Sequence, residues 1–207
     1  MSGFLYYLIT FAESIGSVFG VRSTYEQPTY VVVQDLGDNN EVRRYDPRLA
    51  IEATVDDPDR DKAASQAFGL LFGYITGANR SGQTIAMTVP VRTASERIAM
   101  TTPVQTASFD GRLSMRFFLP SAVARAGAPA PVDPHLHLVE VPAATIAARR
   151  YSGIADQESR DRNTGILMSV LRNTPWKPDG GVFQLSYDPP FAIPFLRRNE
   201  TAVEVTR

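Results

Sequence analysis

The chain has 207 residues, 43% of them hydrophobic, and a formal net charge of −1. That length suits one domain or two small ones with a sizeable core, and a charge near zero sets up no field that would draw in nucleic acid. The absence of cysteine excludes disulfides, thiolate catalysis and thiolate-bound zinc, and the only two histidines, His135 and His137, are too few for a three-histidine metal centre.

Residues 1–28 form an N-terminal segment that is apolar over 4–21. It lacks a basic start and a small-residue cleavage site, and Glu13 stands near its middle, so it suits neither a signal peptide nor a spanning helix. Leu8, Phe11, Ile15 and Val18 recur at helical spacing, which predicts a helix that packs on the domain or lies on a membrane surface, unless the stretch stays unpacked. From residue 29 the pattern turns to β: TYVVVQDL, a turn at GDNN, then EVRRYDPRLAIEATV, with the second strand ending in Arg-Arg-Tyr at 43–45. A helix follows over 56–79. Acidic residues and Pro58 suit its start, Gly77 and Asn79 its end, and Ala64, Phe68, Leu71, Phe72 and Ile75 make an apolar stripe.

Residues 85–91 and 98–104 are near-copies of one heptapeptide, IAMTVPV and IAMTTPV. Each reads as a short strand with Met87 or Met100 on its bulky face, and Pro90 and Pro103 confine both to a sheet edge, a strand end or a bulge. A strand at 113–120 and an Ala/Pro-rich surface loop at 121–134 come next. Two strands broken at Pro142, a helix over 156–174 with Ile166, Leu167, Val170 and Leu171 as its stripe, and two last strands complete the chain. The stretches 29–120 and 135–207 share one order of elements, and Arg-Arg-Tyr occurs in both, at 43–45 and 149–151. The expectation is an internal duplication with pseudo-twofold symmetry, its strands forming one curved or barrel-like layer with a helix from each half packed on it.

Taken together, EVRRYDPRLAIEATV, GYITGANRSGQTIAMTVPV, IAMTTPV, LSMRFFLP, LVEVPAATIAARRYSG and YDPPFAIPFLRRNETAVEV resemble the SOUL haem-binding protein family, in a bacterial member. The resemblance runs over residues 29–205, and the combination is more specific than any one piece. It implies a monomeric α+β fold over 29–207, a distorted antiparallel β-barrel flanked by two long helices. It also implies binding of haem or a related porphyrin in a shallow apolar groove, and kinship with bacterial effector-binding domains.

In the family the groove borders the first long helix, which makes Phe68, Leu71, Phe72 and Ile75 the cofactor contacts; the plainer alternative is that the stripe packs on the sheet. Some members carry a basic side chain in this helix near the propionates. Here the residue before Tyr74 is Gly73, so Arg60, Lys62 or Arg80 at the helix ends would have to stand in. Met87 and Met100 could ligate iron or lie against the ring, or simply fill the core. His137 and His135 are the candidate iron ligands, against a reading as an exposed pair at a strand start. The doublets Arg43–Arg44, Arg149–Arg150 and Arg197–Arg198 could meet propionates, but each must turn one arginine inward, and a buried pair with Glu41, Glu52, Glu140 or Glu200 satisfies that without a ligand.

The leading reading is a tetrapyrrole binder for transport, buffering or sensing, without turnover of its own. The alternatives are an enzyme that demetallates or opens the bound ring, and an effector-binding module for another amphipathic molecule. No nucleic-acid partner is expected. The expected place is cytoplasmic or membrane-associated through residues 4–21, with the periplasm left open.

Overall fold

The computed structural model describes residues 26–80, 104–109, 112–188 and 192–207. The apolar segment 4–21, the heptapeptide at 85–91 and most of that at 98–104 lie outside the described residues, and with them Met87 and Met100. In chain order the elements are β1 (Tyr30–Gly37), β2 (Asn40–Tyr45), β3 (Arg48–Val55), α1 (Arg60–Ile75), β4 (Asn79–Arg80), β5 (Val104–Phe109), β6 (Arg112–Phe118) and α2 (Ser121–Ala126). Then come β7 (Ala130–Pro131), β8 (Leu136–Val141), β9 (Ala144–Tyr151), α3 (Gln157–Leu171), β10 (Lys177–Pro178), β11 (Phe183–Ser186), a 3-10 turn at Pro194–Leu196, and β12 (Asn199–Thr206). The chain divides into two compact units, one made of residues up to Tyr45 with Ala144–Arg207, the other of Asp46–Ala143.

The second unit holds the antiparallel order β5-β6-β3-β8, with α1 on one face. Asp59 caps α1: its carboxylate accepts the N–H groups of Asp61 and Lys62 at 3.0 and 3.2 Å, a bond type worth about 1 kcal/mol. The helix ends where Gly77 takes a φ of +121°, a left-handed turn that suits glycine. Ala63, Ala67, Leu71, Tyr74 and Ile75 are its buried residues, and they pack with Ile51, Ala53, Met115 and Phe117 of the sheet. Burying Leu71 alone stabilises by about 2 kcal/mol. Tyr74 keeps its hydroxyl satisfied inside this core by donating to the Pro129 carbonyl at 2.8 Å.

The first unit repeats the arrangement, with β2-β9-β12-β11 covered by α3 and β1 added outside β2. Asp156 caps α3 through the Ser159 N–H at 2.8 Å. Leu167 and Leu171 pack with Val42, Ala147, Trp176, Val203 and Val205. Asn163 is also buried: its carbonyl accepts from Arg149 Nε at 2.9 Å and its amide donates to the Ser159 carbonyl at 2.7 Å. Asn163→Leu would leave the part-buried Arg149 Nε–H without its acceptor, so unfolding stability is expected to fall by about 1 kcal/mol, read as a lower urea midpoint at unchanged slope.

The α+β class, the antiparallel pairing and the two long helices agree with the sequence. In each unit one strand comes from the other half of the chain: β2 pairs with β9 of the second half, and β8 with β3 of the first. The second strand ends at Tyr45 as expected, and after Asp46–Pro47, where proline has no N–H to continue a ladder, the stretch RLAIEATV forms a further strand, β3. The expected loop at 121–134 contains α2 and β7. The first long helix starts later than expected because Asp59, not Asp56 or Asp57, is its cap, whereas the second starts after the expected Asp156 and ends early, at Leu171. The Arg-Arg-Tyr echo falls in β2 and β9, which pair with each other and do not occupy equivalent places.

Candidate functional site

The apolar stripe expected on α1 separates into two faces. Leu71 and Ile75 point into the sheet and are buried, whereas Phe68 and Phe72 stay 38% and 43% exposed. A helix advances about 100° per residue, so residues 68 and 72 sit together at one margin of the buried face. Their rings stack, with centroids 6.0 Å apart and planes inclined by 13°. Phe117 of β6 meets Phe68 edge-on at 5.5 Å and 66°, and is itself buried, so the sheet fixes the orientation of the pair. Two partly exposed rings stacked on each other and anchored from beneath form an apolar patch on the flank of the helix.

Three cations were expected to serve this helix. Lys62 is exposed in the first turn, its ammonium 3.7 Å from the Asp59 carboxylate. Arg80 is exposed in β4, just past the C-terminal end of α1, and Arg60 is half-buried at the helix start.

The histidines are placed elsewhere. His137 in β8 lies opposite Glu52 of β3, and Glu52 lies opposite Arg116 of β6. Ile51 and Ala53 flank Glu52 and face α1, so alternation along the strand puts Glu52 and His137 on the other face of the sheet. His135 sits in the turn before β8, exposed, with Nδ1 2.9 Å from Asp133 Oδ1. The structure thus brings Phe68 and Phe72 together and sets His137 on the far side of the sheet from them.

In two of the three arginine doublets one member, Arg43 or Arg198, meets carboxylates, in the first unit. Glu200 of β12 is fully buried; it accepts from Arg43 at 2.6 and 3.1 Å, from Arg198 at 2.6 and 2.9 Å, and from the Tyr187 hydroxyl at 3.0 Å. Arg43 also meets Glu41 at 2.7 Å and lies over the Tyr30 ring, and Arg198 lies over the Tyr187 ring. Burial alone would raise the Glu200 carboxyl, but the two guanidiniums outweigh it and hold it below the usual carboxylate range. Burial pushes the Tyr187 phenol well up, with the Glu200 charge adding to it. Arg149 uses Asn163 and the Asp38 carbonyl in place of a carboxylate. Among the described residues no group of three or more metal-binding side chains comes together.

Sequence reasoning missed two features of the helix site. Phe117 orients the aromatic pair, and only the strand pairing reveals it. Gly69 lies in the helix interior beside the pair, and a glycine within a helical pattern was the signal available.

The SOUL heme-binding protein family matches residues 25–204 of this chain. Heme-binding protein 1 of Mus musculus is 30% identical over 151 residues, covering 72% of this chain and 75% of that protein. Heme-binding protein 1 of Bos taurus is 28% identical over 154 residues, with coverage of 72% and 74%. Among solved structures, the C-terminal domain of EcmrR is similar with a TM-score of 0.58 at 9% identity, over 81% of this chain and 97% of that one. A hydrolase from Listeria innocua is similar with a TM-score of 0.54 at 12% identity, over 81% of this chain and 92% of that one. At such identities the likeness to the solved structures is one of fold alone.

Proposed function

The chain belongs to the SOUL heme-binding family, and on that premise we propose that it binds haem or a related porphyrin against the exposed flank of α1. The observation that carries the reading is the stacked pair Phe68 and Phe72, exposed to solvent and oriented from the sheet by Phe117. A porphyrin is flat and apolar over most of its area, with two carboxylates at one rim. The apolar rings suit its face, and because both propionates share one rim, either Lys62 at the start of the helix or Arg80 past its end is the cation available to them. Leu71 and Ile75 contribute by holding the helix to the sheet, which keeps the patch rigid.

His137 faces away from α1 across the sheet, which supports a reading in which no imidazole takes part. The site recognises the macrocycle through its face and its rim charges, and it leaves the iron unligated by histidine. This suits reversible binding, as in transport, buffering or sensing.

The test is a hemin titration followed in the Soret region, on the native chain and on the His135→Ala/His137→Ala double variant. Saturation near one equivalent is expected, with the same affinity and the same spectrum for both. A spectrum that changes in the double variant would move the haem to the histidine side of the sheet. Release of haem unchanged, with no green pigment or free porphyrin after incubation with a reductant, separates a carrier from an enzyme.

A further inference from the structure

Gly69 stands in the interior of α1, three residues before Phe72 and next to Phe68, where the helix surface is exposed. A glycine at such a position weakens a helix relative to alanine, because it adds backbone freedom to the unfolded chain. That cost is commonly explained by a close neighbour that leaves no room for a Cβ. Here a Cβ would meet no atom within 4 Å among the described residues. Gly73, one turn on, at least has the Ala78 Cβ at 3.9 Å from where its own would be. The fold as described therefore gives no reason for the absent side chain at 69. Side chains on a helix lean toward its N-terminus, and the Phe72 ring leans back onto Phe68, leaving the space over the bare backbone at 69, next to Phe68, open.

We infer that Gly69 is a contact position of the tetrapyrrole site, where the macrocycle lies against the helix backbone and the missing side chain sets how closely it approaches. The inference rests on the haem reading above. It assigns a determinant of ligand fit to a residue with no functional group, and it makes stability and binding move in opposite directions on substitution.

Gly165 provides an internal control. It lies in the interior of α3, and among the described residues a Cβ there would also meet nothing within 4 Å and no stacked aromatic pair adjoins it.

The experiment measures melting temperature and hemin affinity for the full chain and for Gly69→Ala, Gly69→Leu and Gly165→Ala. Both alanine variants are expected to melt about 2–4 °C higher than the native chain. Hemin affinity should fall about threefold in Gly69→Ala and at least tenfold in Gly69→Leu, while Gly165→Ala binds as the native chain does. Native affinity in Gly69→Leu, with saturable binding by the native chain, would overturn the inference and leave the haem reading standing. Absence of saturable hemin binding by the native chain would remove both together. A Gly69→Leu variant that melts well below the native chain would show a packing role in the fold and would also overturn it.

Discussion

Phe72→Asp is expected to abolish hemin binding while leaving the domain folded. The side chain is nearly half exposed, so a carboxylate there stays in water in the free protein and the core beneath is untouched. Leu71 and Ile75, which hold α1 to the sheet, keep their contacts. With haem in place the same carboxylate would be pressed under an apolar ring, and the stacking partner of Phe68 would be gone. Losing the aromatic contact costs about 1–2 kcal/mol and desolvating a charge costs several more, which together lower affinity by at least a hundredfold. Soret titration reads the binding, and a thermal melt within a few degrees of the native one certifies the fold. Leu71→Asp is the contrast: it places a charge at a fully buried position and should unfold the chain. Equal hemin affinity in Phe72→Asp would remove the helix flank from consideration.

The second large effect lies in the other unit, at Glu200. Glu200→Ala leaves the buried Arg43 without its main partner and deprives Arg198 and the Tyr187 hydroxyl of their acceptor. Breaking a buried ionic network from one side typically costs about 3–5 kcal/mol, a large share of a small domain's stability. Urea unfolding should show this loss, and the Arg43→Leu/Glu200→Leu/Arg198→Leu variant should recover part of it, because most of the penalty belongs to the abandoned guanidiniums. The network also predicts an acid limb. The folded carboxyl titrates below the unfolded value of about 4.3, so its contribution is complete above that pH. It is lost as pH falls through the folded value. A stability profile flat to pH 3 in the native chain would deny Glu200 that role.

What was legible in the sequence follows from range. The helix caps were close at hand because an aspartate beside a polar run acts on its own neighbours. The inward arginines were legible too: alternation demands that one of each doublet turn inward, and Arg43 and Arg198 meet Glu200. The exchange of β2 and β8 between the halves was out of reach, because it depends on pairings about a hundred residues apart. Phe68, Leu71, Phe72 and Ile75 all read as one stripe because spacing gives the angle around the helix, not where the sheet's edge falls across it. That boundary is set by Phe117, which covers Phe68 from one side and leaves Phe72 open. The relation of the histidines to the helix required register: only the pairing of His137 with Glu52 shows which face it occupies.

The most direct test of where the ligand sits is paramagnetic line broadening by ferric haem, recorded on backbone amides of the isotope-labelled chain during a hemin titration. Loss of signal centred on the α1 amides from Ser65 to Thr76 is the predicted result. Broadening centred on His137 and its neighbours in β8, with α1 spared, would contradict it.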